Sequence, residues 1–279
     1  MLHEPETDTP IPGGLQRAYG AGRVSAKTRG GVSALDTLYQ EGCAKIRAPK
    51  THGDWLDAVL INSSGGLTGG DVMDWSCTAG EGAHLVATTQ ACERIYRSAG
   101  GTARVRTTLA AGPGARLDWL PQETILFEGA RLDRTLAVDL AEDATFLGLE
   151  AVILGREASG EDAVSAAISD TWHIRRGGHL IHAEASRLNA NDVLARANIA
   201  LLDGARAYAT LLYAGTDAEQ QIETLKTILA PFKTAGASRI GDKIVMRAAA
   251  SSGYRLRKII MPAIAALATG NAVPRLWTL

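Results

Sequence analysis

The sequence is short of aromatic residues, at 5%, and has only 3 cysteines, Cys43, Cys77 and Cys92, with no Cys-x-x-Cys pair. With 46% hydrophobic residues and so few rings, a core must be built from Ala, Val, Leu and Ile. An odd, scattered set of thiols fits a reducing cytoplasm better than a disulfide framework. Neither sign of charge dominates: 29 Lys and Arg stand against 30 Asp and Glu. A net charge of −1 gives no footprint for nucleic acid or for an anionic membrane, and neither is expected as a partner. The longest apolar run, 259–268, is about ten residues, includes Pro262 and is too short to span a bilayer. Residues 1–14 lack the basic and apolar regions of a secretory signal and read as a disordered tail.

Glycine, at 30 residues, is plentiful, and it punctuates many short apolar segments. Met73, Trp75 and Cys77 alternate with Asp74, Ser76 and Thr78, the period of a half-buried strand. Similar segments recur at 16–24, 42–48, 55–61, 84–89, 95–96, 104–109, 117–119, 136–140, 146–154, 171–174 and 179–184. A hairpin is expected where 199–202 turns at Asp203-Gly204 into 206–213. The connections are too short for crossover helices, which disfavours a parallel Rossmann sheet. Two helices are expected, at 217–230 and 254–268. Without a linker or an internal repeat, residues 15–279 read as a single, mainly β domain with two α-helices.

The stretch 60–71 (LINSSGGLTGGD) sets Gly65, Gly66, Gly69 and Gly70 before Asp71. Gly65 and Gly70 have P-loop spacing, but Asp71 stands where that motif needs Lys, and a carboxylate repels phosphate. Either Asp71 caps its own turn, or the loop holds it in a polar interior. His179 and His182, three apart on a strand, face opposite ways and cannot share an ion. His84 and His173 are isolated, and no Gly-x-Ser-x-Gly elbow accompanies the serines. The chemistry rests on carboxylates beside apolar strands: Asp71, Glu93, Glu123, Glu128, Glu150, Glu161 and Glu184.

Four stretches in order, 60–71, 88–98 (TTQACERIYRS), 117–130 (LDWLPQETILFEGA) and 154–161 (LGREASGE), resemble the urease accessory protein family UreD, also called UreH. The likeness runs more loosely from 38–42 (LYQEG) to Leu256-Arg257, although Asn62-Ser63-Ser64 replaces the His or aromatic and Pro that usually open the loop. The resemblance implies a β-helix-like body of stacked sheets with two helices. It implies a non-enzymatic chaperone that joins UreF and the GTPase UreG to deliver Ni²⁺ to apo-urease.

In that family a water-filled acidic passage is thought to carry the ion, and the positions matching its lining are Asp71, Glu93, Glu150 and Glu184. Such a path holds Ni²⁺ with few oxygen ligands at a time, with no tightly bound cofactor, because a nitrogen or sulfur cage would not release it. Arg97, Arg156 and Glu161 read as ion-pair partners, and Glu123 as a motif residue. The apolar face of 254–268, with Ile260 and Met261, is a candidate UreF contact or simple packing. Two other readings stay open: a β-scaffold hydrolase using paired carboxylates, and a plain structural interaction module.

Overall fold

The structure, a computed structural model, describes residues 16–50, 53–195, 197–268 and 273–277, so the expected tail at 1–14 lies outside the described residues. The chain opens with strands β1 (Tyr19–Arg29), β2 (Val32–Gly42), β3 (Ala44–Arg47), β4 (Leu56–Asn62), β5 (Val72–Ala79), β6 (His84–Thr89), β7 (Glu93–Ile95), β8 (Ala103–Ala111) and β9 (Arg116–Trp119). It continues through β10 (Thr124–Leu126), β11 (Arg131–Leu140), β12 (Thr145–Leu154), β13 (Ala167–Arg176) and β14 (His179–Leu188) to helix α1 (Ala190–Leu194). Strand β15 (Ala207–Ala214), helix α2 (Ala218–Leu229), β16 (Ala235–Ile240), β17 (Lys243–Ala250) and helix α3 (Gly253–Leu267) follow.

Seven strands form one sheet in the order β14-β13-β11-β8-β5-β1-β2. The other runs β16-β17-β15-β12-β9-β6-β4-β3, with β10 beside β12 and β7 beside β10. From β4 to β13 the chain winds between the sheets, so neighbours within each sheet are parallel. Parallel pairing needs a crossover, and here the crossover is a strand of the opposite sheet instead of a helix. The result is a β-solenoid-like body of stacked sheets.

In-register apolar ladders fill the space between them. Val24, Cys77, Leu109, Val138 and Ile174 line up across one sheet. Leu56, Leu85, Leu117, Phe146 and Ala214 line up across the other. All but Leu56 are buried, so each ladder removes continuous apolar area from water.

The second sheet is apolar on its outer face too, through Leu147, Leu149, Leu211 and Met246. A strand apolar at both parities needs a cover on each side. Helices α2 and α3 supply it with Ile222, Leu225, Leu256, Ile260 and Ile264. This corrects the expectation of an exposed contact face on α3: Ile260 is fully buried and Met261 packs against the same core. Ser252 caps that helix by accepting the Arg255 amide.

Three further expectations change. A third helix, α1, exists but is only five residues long. The hairpin at Asp203-Gly204 does not form, because 199–202 is turn and Ile199 is largely exposed. Strand β2 was hidden in the sequence because it is an edge strand exposed on both faces and so lacks alternation.

Candidate functional site

The four recognisable stretches meet at one corner of the body. Leu67 of the glycine-rich loop bridges Ile95, Ser98 donates its amide to Gly129, and Gly155 donates to Leu126. Glu128 donates its amide to Glu161 Oε1 at 2.8 Å, and Arg156 Nε reaches Glu161 Oε2 at 3.0 Å. Hydrogen bonds from Arg156 outweigh burial and hold the Glu161 carboxyl below its usual range. Arg97 lies against Gly129 and acts on Glu161 only at longer range.

Asp71 accepts the amides of Ala18 and Thr68, both at 2.8 Å, one on each oxygen. Its carboxylate therefore ties the loop to the start of β1 and closes the turn. The glycines make that path possible: a Cβ on Gly66 would meet Tyr96, one on Gly69 would meet Ser98 and the Gly100 carbonyl, and Gly65 and Gly70 have positive φ.

Beside the loop a cavity of about 150 Å³ is lined by Asn62, Gly66, Trp75, Cys92 and Glu93. Glu93 accepts Asn62 Nδ2 at 3.1 Å and has no ion pair among the described residues. Burial pushes its carboxyl up to about 7. The half-buried Cys43 thiol, raised by desolvation, lies within electrostatic reach of both Glu93 and Asp71.

From Glu93 a polar layer crosses the apolar space between the sheets. On one sheet Glu93, Thr124, Val152 and Tyr208 stand in register, and Glu150, Thr210 and Arg247 form a second ladder two residues away. Facing them on the other sheet are Arg134 beside Asp170, and Trp172 beside Glu184. Arg134 joins the two sides. Its Nη2 lies 2.6 Å from Asp170 Oδ2, its Nη1 donates to Thr124 Oγ1 at 3.1 Å, and Nη1 also pairs with Glu150. Trp119 Nε1 donates to the other Glu150 oxygen at 2.9 Å. Burial pushes the Glu150 carboxyl up while Arg134 opposes the shift. Charges this deep persist only when paired and hydrogen-bonded.

Tyr208 continues the layer, its phenol raised by burial and within electrostatic reach of Arg134, Asp170 and Glu184. Arg247 grips Glu184 with two bonds of 2.8 and 2.9 Å, and its Nη1 also reaches Thr210 Oγ1 at 3.1 Å. His182 Nε2 sits 3.4 Å from Glu184 Oε2, a longer and looser contact than the Arg247 bonds but close enough to act on the carboxylate. Burial raises Glu184, but His182 and Arg247 outweigh it and hold the carboxyl at about 2. Arg247 is mostly exposed, so the layer ends at the surface.

Glu150 and Glu184 are thus brought into one layer, Glu93 stands at its far edge, and Asp71 is spent on the loop. Glu123 lies elsewhere, fully buried and gripped by Arg257 of α3. Its other neighbour, the Cys92 thiol, is pushed up to about 11 by burial and by the Glu123 charge. Sequence reasoning missed Arg134, Asp170, Tyr208 and Arg247. The signal was there for Arg134, a charge at the parity of Leu132, Leu136 and Val138. Among the described residues no three His, Cys, Asp or Glu side chains converge on one point.

A family model described as UreD urease accessory protein matches residues 18–278. The chain is 56% identical over 274 residues to a urease accessory protein UreD from Chelativorans sp. (strain BNC1), spanning 98% of both chains. It is 51% identical over 264 residues to one from Rhizobium etli, covering 95% of this chain and 96% of that one. One from Sinorhizobium medicae is 49% identical over 268 residues, covering 95% and 97%.

Proposed function

Because the chain belongs to the UreD family of urease accessory proteins, we propose that it serves urease maturation as a non-enzymatic scaffold that conducts Ni²⁺ through its interior. Apo-urease, UreF and the GTPase UreG are its partners, and the cytoplasm is its site of action, in keeping with three unpaired cysteines. Nickel is cargo here.

One observation carries this reading: a layer of charged and polar side chains runs between the sheets, from Glu93 at an open cavity to Glu184 and Arg247 at the other edge. Fold stability does not call for it, since well-packed apolar residues fill such a layer at equal or lower cost. A path for a dication does call for it, because the ion cannot cross hydrocarbon without oxygen donors. The layer offers carboxylates singly or in pairs, and among the described residues no imidazole or thiolate cage stands ready to trap the ion. The hydrolase reading fits less well, since Glu150 and Asp170 share one guanidinium between the sheets and both are buried.

The test is activation of apo-urease by Ni²⁺, UreF, UreG and GTP at fixed bicarbonate. Activation is expected to depend on the chain and to fall severalfold in E150Q/E184Q, with UreF binding intact. Activation without the chain would overturn the maturation role. Full activation by E150Q/E184Q would overturn the passage and leave the scaffold.

A further inference from the structure

The innermost point of the polar layer already holds a cation. Arg134 extends from β11 between the sheets, and two carboxylates from opposite sheets converge on its guanidinium, Glu150 on Nη1 and Asp170 on Nε and Nη2. All three side chains are almost wholly buried. One positive charge therefore stands between two negative ones, and the seat is left with an excess negative charge in a medium that screens poorly.

Without the guanidinium, two facing buried carboxylates have two outcomes. They take up protons, or they capture a divalent cation and hold it with paired oxygens. Either outcome disables a conduit: a protonated pair offers the ion nothing, and a filled pair releases it slowly. Arg134 stands in the way of both, because its guanidinium sits between the two carboxylates and hydrogen-bonds to each while contributing only a single charge. Its geometry also provides somewhere to go. Nη1 already donates to Thr124 Oγ1, and Thr124 stands in register with Glu93, the carboxylate of the layer that has no ion pair among the described residues.

We propose that Arg134 is the resident exchange cation of the passage: it occupies the seat between Glu150 and Asp170 at rest, so that a divalent ion enters by displacing it and leaves as it returns. The inference rests on the reading above that nickel crosses the inter-sheet layer. Arg134 is a positioning residue in this scheme, setting how loosely the seat holds its cargo.

The test needs no urease at first. Full-length wild type, R134M and R134K are equilibrated with NiCl2, desalted and assayed for metal, and melting is followed with and without NiCl2. R134M keeps the length of the stem and removes the charge. It is expected to retain roughly one nickel per chain beyond wild type and to gain several degrees in Tm with NiCl2 where wild type gains none. R134M/E150Q/D170N is expected to lose both effects. R134K keeps the charge but as a single point that cannot bridge both carboxylates, so it retains an intermediate amount.

If R134M does not fold, R134K decides alone: retention above wild type supports the exchange role, and retention at the wild-type level overturns it. R134M retaining no more nickel than wild type also overturns it, whatever E150Q/E184Q does in the activation assay. If R134M traps nickel yet activates apo-urease at the wild-type rate, the seat lies off the route. The exchange role then falls, while the passage itself is judged by E150Q/E184Q.

Discussion

Arg257 Nε lies 2.6 Å from Glu123 Oε1, tying helix α3 to a residue 134 positions earlier in the chain. The same guanidinium reaches Glu123 Oε2 at 2.8 Å and stacks over Trp277 at 5.1 Å. Because Glu123 is fully buried, loss of Arg257 strands a charge in the core. R257A is expected to cost about 2–4 kcal/mol, read as a shift in the urea midpoint. E123Q/R257Q should recover more than half of that, since the stranded charge is gone. A double variant no more stable than R257A would show that packing on Trp277 matters more than the charge.

Glu93 makes stability depend on pH in the opposite sense from most carboxylates. Burial, opposed by the weaker pull of Asn62, lifts its folded value to about 7 from an unfolded value of 4.5. The folded chain thus holds a proton that the unfolded chain has released, and this group's contribution to stability falls as pH rises from 4.5 through about 7. E93Q removes the dependence and is expected to stabilise the protein by about 2 kcal/mol above pH 7. Melting temperatures of both proteins across that window provide the check, and a constant difference between them would contradict the assignment.

The repeating strands were legible because Met73, Trp75 and Cys77 alternate cleanly with polar neighbours, and so does much of β11. The inner charges were not. A strand read from Leu136 onward misses Arg134, and one read from Thr171 onward misses Asp170, because a charge on the apolar parity imitates the end of a strand. What betrays it is the apolar residue beyond, Leu132 in one case and Ile168 in the other. Glu150 and Glu184 stood out as carboxylates beside apolar strands, and the family resemblance gave them a role; nothing local marks them as partners of Arg134 and Arg247. The apolar face of α3 misled for a different reason. Core and interface faces look alike along a helix, and only the doubly apolar strands β12, β15 and β17 show what it covers.

The glycine-rich loop separates two kinds of glycine. A Cβ on Gly69 would lie 2.1 Å from Ser98 Oγ and 2.4 Å from the Gly100 carbonyl, so the backbone itself must move. Gly65 has a φ of 80° but faces open space. G65A is therefore expected to cost about 1 kcal/mol, the price of a strained φ, and G69A at least twice as much. Urea unfolding of the two variants separates the cases, and equal costs would mean that the loop moves freely away from Ser98.

Glu184 and Arg247 give the layer an acid limit at its exposed end. Burial alone would raise Glu184, yet His182 and Arg247 hold it at about 2 against an unfolded 4.5. Its contribution is present in full above 4.5 and disappears as pH falls through about 2. R247Q removes the stronger charge, so the acid-unfolding midpoint should move upward. Because the Arg247 side chain is 60% exposed, solvent screening reduces the loss at neutral pH to about 1 kcal/mol. Salt sharpens the assignment. Raising NaCl to about 1 M shortens the screening length to about 3 Å and should erase most of the difference between R247Q and wild type. The buried Arg134 pair is beyond the reach of that screening, so the destabilisation of R134M should persist at the same salt. If both variants lost their effect together, the two ends of the layer would share one solvent-accessible environment, and the guanidinium between the sheets would be no more enclosed than the one at the rim.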